Sequence, residues 1–191
     1  AGQKMPFTED LGVNEPLSPY AASKKAGELM AYSYHKLYQM DVSVVRFFTV
    51  FGPAGRPDMS PYRFIKLIAE EETIQMFGDG SQSRDFTYVD DIARGTIAAI
   101  QDVGYEIINL GGGRNPVSLN TIIFKLEKLI GRKTKIDRKP FHVADLMETW
   151  ADISKAKNLL GWEPQVSLEE GLEKSVQWYM DNRHWLKEVQ V

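Results

Sequence analysis

Ser18-Pro19-Tyr20-Ala21-Ala22-Ser23-Lys24 is the stretch on which the reading of this chain turns. Serine followed by proline is a helix start, because the hydroxyl caps an early amide and proline's fixed φ suits the first helical position. On that helix Tyr20 and Lys24 stand four residues apart, which stacks their side chains on one face about one turn apart. An ammonium so placed favours the phenolate, and a tyrosinate near neutral pH is a general base for a sugar or alcohol hydroxyl. Tyr-x-x-x-Lys is a frequent spacing, so it specifies little by itself.

Outward from this stretch, the spacing predicts a helix from residue 19 to about 39, with Ala22, Ala26, Leu29, Tyr32, Leu37 and Met40 as its apolar positions. Tyr32, Tyr34 and Tyr38 are read as packing aromatics. Residues 42 to 48 are β-branched and aromatic, which fits a buried parallel strand. Gly52, Pro53, Gly55 and Pro57 then mark a loop beyond the strand's carboxyl end, where open α/β sheets place their ligands. Arg56 in that loop is either a solvated turn charge or a guanidinium that grips a carboxylate.

A helix is predicted from about 61 to 72, then a short strand at 74 to 77 that ends in the turn Gly78-Asp79-Gly80. Arg84 precedes a strand of alternating character, where it either reaches a diphosphate or pairs with a neighbouring aspartate. Asp90 and Asp91 are read as helix caps. A strand at 105 to 110 leads to a helix that buries Ile122, Ile123, Leu126, Leu129 and Ile130 and ends at Gly131. The basic group Arg132, Lys133, Lys135, Arg138 and Lys139 is read as a solvated face. A helix from Ser154 to Gly161 and a last amphipathic helix over about 168 to 185 follow, with Trp162, Trp178 and Trp185 as anchors.

The chain's 191 residues, 43% hydrophobic and 26% charged, suit one globular domain or one and a half. A net charge of -3 without a dense basic stripe argues against nucleic acid as the main partner. With no cysteine, disulfides and thiolate sites are excluded, and His35, His142 and His184 are too scattered for a histidine metal site. No apolar run approaches the roughly 18 residues of a spanning helix, so no membrane role is expected. Gly111-Gly112-Gly113 lacks the spacing of a dinucleotide-binding turn and is read as a structural loop.

Three longer segments carry a family resemblance. They are Pro16 to Lys24, then Val44-Val45-Arg46-Phe47-Phe48-Thr49-Val50-Phe51-Gly52-Pro53, then Gly78 to Asp91 with its core Ser83-Arg84-Asp85-Phe86-Thr87-Tyr88. In this order they resemble the extended short-chain dehydrogenases/reductases of the nucleotide-sugar epimerase type, and Gly55-Arg56-Pro57-Asp58-Met59 is similar to the UDP-glucuronate 4-epimerases. The resemblance runs to Leu160-Gly161-Trp162-Glu163-Pro164. It implies an α/β fold: the C-terminal part of an extended Rossmann-type enzyme, with a mixed α+β substrate-binding portion. Residues 1–50 would be a remnant of the NAD-binding domain and 51–191 mainly the UDP-sugar-binding domain. The glycine-rich turn and a catalytic Ser/Thr are expected upstream of Ala1.

The resemblance further implies an NAD-dependent epimerase acting at C4 of a UDP-sugar, in the first place UDP-glucuronate, as a cytoplasmic homodimer whose interface includes the helix after Ser18. Tyr20 and Lys24 would be catalytic and touch NAD, with Phe48 on the nicotinamide side. Thr49 and Arg56 would meet the sugar, Gln75 and Phe77 the uracil, Arg84 the diphosphate and Asp145 the ribose. His142 stands where many relatives have a diphosphate arginine, which leaves that contact either weakened, made by a His142 protonated on binding, or taken over by Lys139. A UDP-hexose 4-epimerase, a 4,6-dehydratase and a uronate decarboxylase share the same signature. As it stands, the chain also fits a UDP-sugar-binding or dimerisation module without turnover.

Overall fold

The computed structural model describes residues 5–12, 14–113, 116–141 and 146–191. In chain order they form α1 (Pro19–Tyr38), β1 (Val42–Phe47), β2 (Thr49–Phe51), α2 (Ser60–Ala69), β3 (Ile74–Phe77), β4 (Ser83–Arg84) and β5 (Phe86–Tyr88). There follow α3 (Val89–Ala98), β6 (Tyr105–Leu110), β7 (Val117–Ser118), α4 (Leu119–Ile130), β8 (Ile136–Lys139), β9 (Glu148–Thr149), α5 (Ser154–Leu160) and α6 (Leu168–Leu186). The fold is α/β with mostly parallel pairing, as the sequence implies.

β1 pairs in parallel with β6, β2 with β5, and β3 with β8, while β4 lies between antiparallel β7 and parallel β9. The partition near residue 50 crosses the first of these pairs, since β1 and β6 come from opposite sides of it. β2 occupies the start of the stretch read as loop: three residues suffice to pair Thr49 with Phe86 before Gly52 and Pro53 end the strand. β8 runs through the basic group read as a solvated face, and its pairing with β3 is a long-range contact that local pattern does not announce.

Two apolar clusters hold the elements. The larger joins α2, α4 and α6 to Phe51, Ile74, Met76 and Tyr88, with Ile68, Ile122, Leu126 and Leu172 fully buried. The smaller joins Ile92, Ile108, Leu110, Ala156 and Trp162 under the β1–β6 pair. Trp162 therefore anchors α3 and β6, not α6, and its indole N–H donates to the Asp91 carbonyl at 2.9 Å. The Asp91 carboxylate does not cap its own helix. Buried completely, it accepts the amides of Gln165 and Val166 at 3.1 and 2.9 Å and fastens the segment entering α6.

Helix ends follow the local rules. Ser18, Ser118 and Ser167 each accept an amide three residues on, and Gly131 and Gly161 close α4 and α5 in the left-handed conformation. α1 lies with its polar side on the strands. Its predicted apolar positions look outward, with Leu29, Tyr32, Leu37 and Met40 all at least 44% exposed. The partly covered side is Ala21, Lys25, Glu28, Ala31 and His35. Among the described residues, no helix is long and apolar enough to cross a membrane.

Candidate functional site

The site begins with how α1 lies on its strands. Arg46 reaches Glu28 with two bonds, Nε to Oε1 at 2.6 Å and Nη2 to Oε2 at 2.9 Å, and the Tyr105 hydroxyl donates to the Glu28 carbonyl at 3.0 Å. The Arg46 hydrogen bond holds the Glu28 carboxyl below the usual carboxylate range. Farther along the helix, the His35 ring meets Tyr105 at the start of β6, centroids 6.0 Å apart. Glu28 thus lies near the end of β1 and His35 near the start of β6. α1 runs antiparallel to these strands, and its first turn stands at their carboxyl ends.

Tyr20 and Lys24 occupy that turn. The Lys24 ammonium is 5.3 Å from the centroid of the Tyr20 ring, and Tyr20 is 68% exposed. The two groups share one open face of the helix, the arrangement that Tyr-x-x-x-Lys predicts.

The next piece comes from the chain's passage between strand pairs. Phe48 donates its amide to Leu110 at 3.1 Å, still alongside β6, and its ring packs 6.5 Å from Phe7. One residue later Thr49 pairs with Phe86. Phe48 and Thr49 therefore sit where the two parallel pairs meet. Beyond β2, Arg56 binds Asp58 fork to fork, Nε to Oδ1 at 3.1 Å and Nη2 to Oδ2 at 2.5 Å, on an open surface. The Asp58 hydrogen bond holds the Arg56 guanidinium above its ordinary pKa, with a smaller contribution from Tyr20. Tyr20 and Lys24 share one face of α1, and Arg56 stands in the loop after β2.

The other expected residues form a second group. β3 bonds to β8 through Ile74 and Gly78, whose amides go to Lys135 and Lys139, so the alternating backbone groups of Gln75 and Phe77 point away from β8. Both side chains are exposed, Phe77 by 47%. Gln82, almost fully buried, donates its amide to the Phe77 carbonyl at 2.6 Å and braces that edge from below. Arg84 lies two residues on in β4, with one guanidinium nitrogen donating to the Ser83 carbonyl at 2.8 Å. Lys139 pairs with Asp137 at 2.8 Å. Asp145 and His142 lie outside the described residues.

Sequence reasoning missed Gln82, whose side chain folds back on a carbonyl five residues earlier, and Asp85, whose partners lie 28 and 66 residues on. Asp85 is 3% exposed and accepts the amides of Gly113 and Ala151, both at 3.1 Å. The glycine run is filled by this packing. A Cβ on Gly112 would stand 1.9 Å from Asp85 Oδ1, one on Gly111 2.7 Å from the Ala151 Cβ, and one on Gly113 2.4 Å from the Ile153 Cδ1. These glycines are small because protein atoms press on them, in agreement with their reading as a structural loop. Tyr20 and Lys24 offer a phenol and an ammonium on an open face, whereas the protein-filled Gly111–Gly113 run leaves no room for a dinucleotide's pyrophosphate. A 510 Å³ cleft lined by Glu9, Glu106, Lys155 and Asn158 touches none of the expected site residues.

Comparison with known proteins matches these features. The model of the NAD dependent epimerase/dehydratase family matches residues 1–111. A UDP-glucuronate 4-epimerase of Thermodesulfobacterium geofontis is 63% identical over the whole chain, which covers 59% of that relative. A probable UDP-glucuronate 4-epimerase of Rhizobium meliloti is 37% identical, with 95% of this chain and 59% of the relative covered. Among solved structures, the UDP-glucuronic acid 4-epimerase of Bacillus cereus in complex with UDP-glucuronic acid and NAD aligns with a TM-score of 0.88 at 40% identity, over 94% of this chain and 58% of that one. The chain thus spans about three fifths of the length of these proteins. A phenol and an ammonium at the carboxyl ends of a parallel strand pair and a profile match over residues 1–111 agree on one assignment: the chain belongs to the NAD dependent epimerase/dehydratase family.

Proposed function

We propose that the protein containing this chain is an epimerase that inverts C4 of a UDP-sugar through a 4-keto intermediate, converting UDP-glucuronate to UDP-galacturonate. The observation that carries the reading is the placement of Tyr20 and Lys24 on one open face at the carboxyl ends of β1 and β6. When bound, NAD supplies the hydride acceptor and donor for the C4 carbon. Tyr20, as tyrosinate, takes the proton of the 4-hydroxyl and later returns it. Lys24 favours the charged phenol and holds the cofactor ribose, and Phe48 borders the nicotinamide.

Arg56 and Thr49 hold the sugar carboxylate. Gln75 and Phe77 border the uracil through the open edge of β3, Arg84 takes the diphosphate, and Asp145 takes the ribose. A firmly held nucleotide leaves the sugar free to turn and present its other face. In domain terms, residues 1–50 carry the cofactor side and 51–191 mainly the substrate side, with β6 joined to the former by its pairing with β1. A homodimer formed through α1 is supported by the exposure of Leu29, Leu37 and Tyr38, at 58%, 74% and 64%. Leu37→Glu would then convert the dimer to monomer in sedimentation velocity, and an unchanged sedimentation coefficient would remove α1 from the interface.

The protein-filled glycine run favours a second statement. The 191-residue chain alone binds NAD weakly and does not turn over, because it offers no pyrophosphate cradle at Gly111–Gly113. Calorimetry that found tight NAD binding by this chain would contradict it. The reaction itself is tested by incubating the full-length gene product with UDP-glucuronate and NAD. UDP-galacturonate is the expected product, whereas release of carbon dioxide would point to the decarboxylase branch and overturn the epimerase reading.

A further inference from the structure

We infer that Asp85 is a positioning residue that fixes the grip on the diphosphate relative to the seat of the sugar. The inference rests on the functional reading above for Arg84 and Thr49. Its geometric part stands by itself. Asp85 is 3% exposed, and one carboxylate oxygen accepts two amides from separate segments, Gly113 after β6 and Ala151 before α5. Its own amide donates to the Thr149 carbonyl at 3.0 Å, which extends the pairing of β4 with β9.

The neighbours on either side give this clamp its consequence. Arg84, one residue before, is the proposed diphosphate ligand. Phe86, one residue after, is the strand partner of Thr49, the proposed sugar ligand. The loop that Asp85 holds leaves β6 directly after Leu110, whose carbonyl receives the Phe48 amide. A single buried carboxylate therefore stands at the crossing of the segments that carry Arg84, Phe48 and Thr49. Buried charge is costly unless its lone pairs are met, so these segments are locked to one another while the carboxylate keeps its amide partners.

The glycines make the clamp possible. The space that a side chain on Gly112 would fill is the space taken by Asp85 Oδ1, and a side chain on Gly111 would meet both Ala151 and Phe48. An epimerase of this kind must hold the nucleotide still while the sugar turns, and the distance between the two grips sets how closely C4 approaches Tyr20 in either orientation. Misplacement by about 1 Å costs on the order of a hundredfold in rate.

The test uses the full-length gene product as wild type, Asp85→Asn and Gly112→Ala. The first variant removes the charge, and the second keeps it but forces it aside. UDP affinity is measured by calorimetry, kcat and KM with UDP-glucuronate per UDP-binding site, and amide hydrogen exchange over residues 111–113 and 150–152. In both variants exchange in those segments rises at least about tenfold and UDP affinity stays within about threefold, while kcat per UDP-binding site falls roughly ten- to hundredfold. Turnover per UDP-binding site within about twofold of wild type overturns the inference, as does a loss that tracks only the number of sites able to bind UDP. If the wild type makes no UDP-galacturonate, the functional reading fails separately. Asp85 is then judged by exchange: UDP slows it at 111–113 and 150–152 in the wild type and not in Asp85→Asn, and equal protection in both proteins overturns the positioning role.

Discussion

Arg56 and Asp58 are joined fork to fork across a single intervening proline, in the open loop after β2. The geometry is that of a guanidinium on a carboxylate, the same contact proposed for the sugar acid of UDP-glucuronate. On the proposed function Asp58 would hold the place of the substrate carboxylate, and binding would exchange one partner for the other. Removing the guanidinium with Arg56→Ala should lower kcat/KM for UDP-glucuronate roughly tenfold or more and leave UDP-glucose nearly unaffected. Asp58→Asn removes the competitor and should lower KM for the uronate by a few-fold. Steady-state kinetics with both sugars checks this, and equal losses for both with Arg56→Ala would rule out the carboxylate contact.

Tyr20 contributes little to the core, being 68% exposed, and its ring is approached by Lys24. Tyr20→Phe removes one oxygen from an open face, so the fold and the UDP affinity should persist. If the phenol is the general base, kcat falls about a hundred- to ten-thousandfold. Calorimetry with UDP and a turnover assay separate the two effects. A kcat within tenfold of wild type would assign proton transfer to another group.

Much of the framework was legible because it is set by local chemistry. Ser18 and Pro19 start α1, Gly131 ends α4, and the run at 74 to 77 is β3, each as read. One misreading and two features without a local signal share one cause, which is tertiary context. The apolar stripe of α1 faces outward because Glu28, drawn to Arg46 eighteen residues away, turns the polar side toward the strands. Asp91 has the position of a cap but is claimed by amides 74 and 75 residues on. β8 has charges at three of its four positions and becomes a strand only because β3 lies beside it. At the site, Tyr20, Lys24 and Arg56 carry their chemistry in their side chains and were visible, while Asp85 binds amides 28 and 66 residues away and left no local trace.

The Glu28–Arg46 pair should make the seating of α1 depend on pH. Glu28 has a side chain only 11% exposed, and its carboxyl is held low by the Arg46 hydrogen bond, with Lys25 adding to the effect. A carboxylate whose folded pKa is depressed contributes stability that is present above its unfolded pKa and is lost as pH falls through the folded one. Glu28→Gln should therefore cost about 1–3 kcal/mol near neutrality. The difference from wild type should hold down to about pH 5 and then shrink below the unfolded glutamate value of about 4.3. Urea denaturation at several pH values provides the check, and a difference constant down to pH 3 would assign the loss to packing.

The last expectation concerns why Gly112 is glycine. Its φ is not in the left-handed region, so backbone strain supplies no reason; the crowding does, with an added Cβ 1.9 Å from Asp85 Oδ1 and 3.3 Å from the Phe86 carbonyl. Gly112→Ala should accordingly destabilise by about 1–3 kcal/mol, the usual cost of overpacking. Asp85→Ala has its own cost, because the amides of Gly113 and Ala151 lose their acceptor. Combined, the two should be less harmful than their sum, since truncating the aspartate empties the space that the new methyl needs. A double-mutant cycle by chemical denaturation should return a favourable coupling of about 1 kcal/mol or more, against about 0.3–0.5 kcal/mol for independent sites. Additive losses would mean that the methyl is rejected by backbone alone, and Gly112 would then owe nothing to the carboxylate beside it.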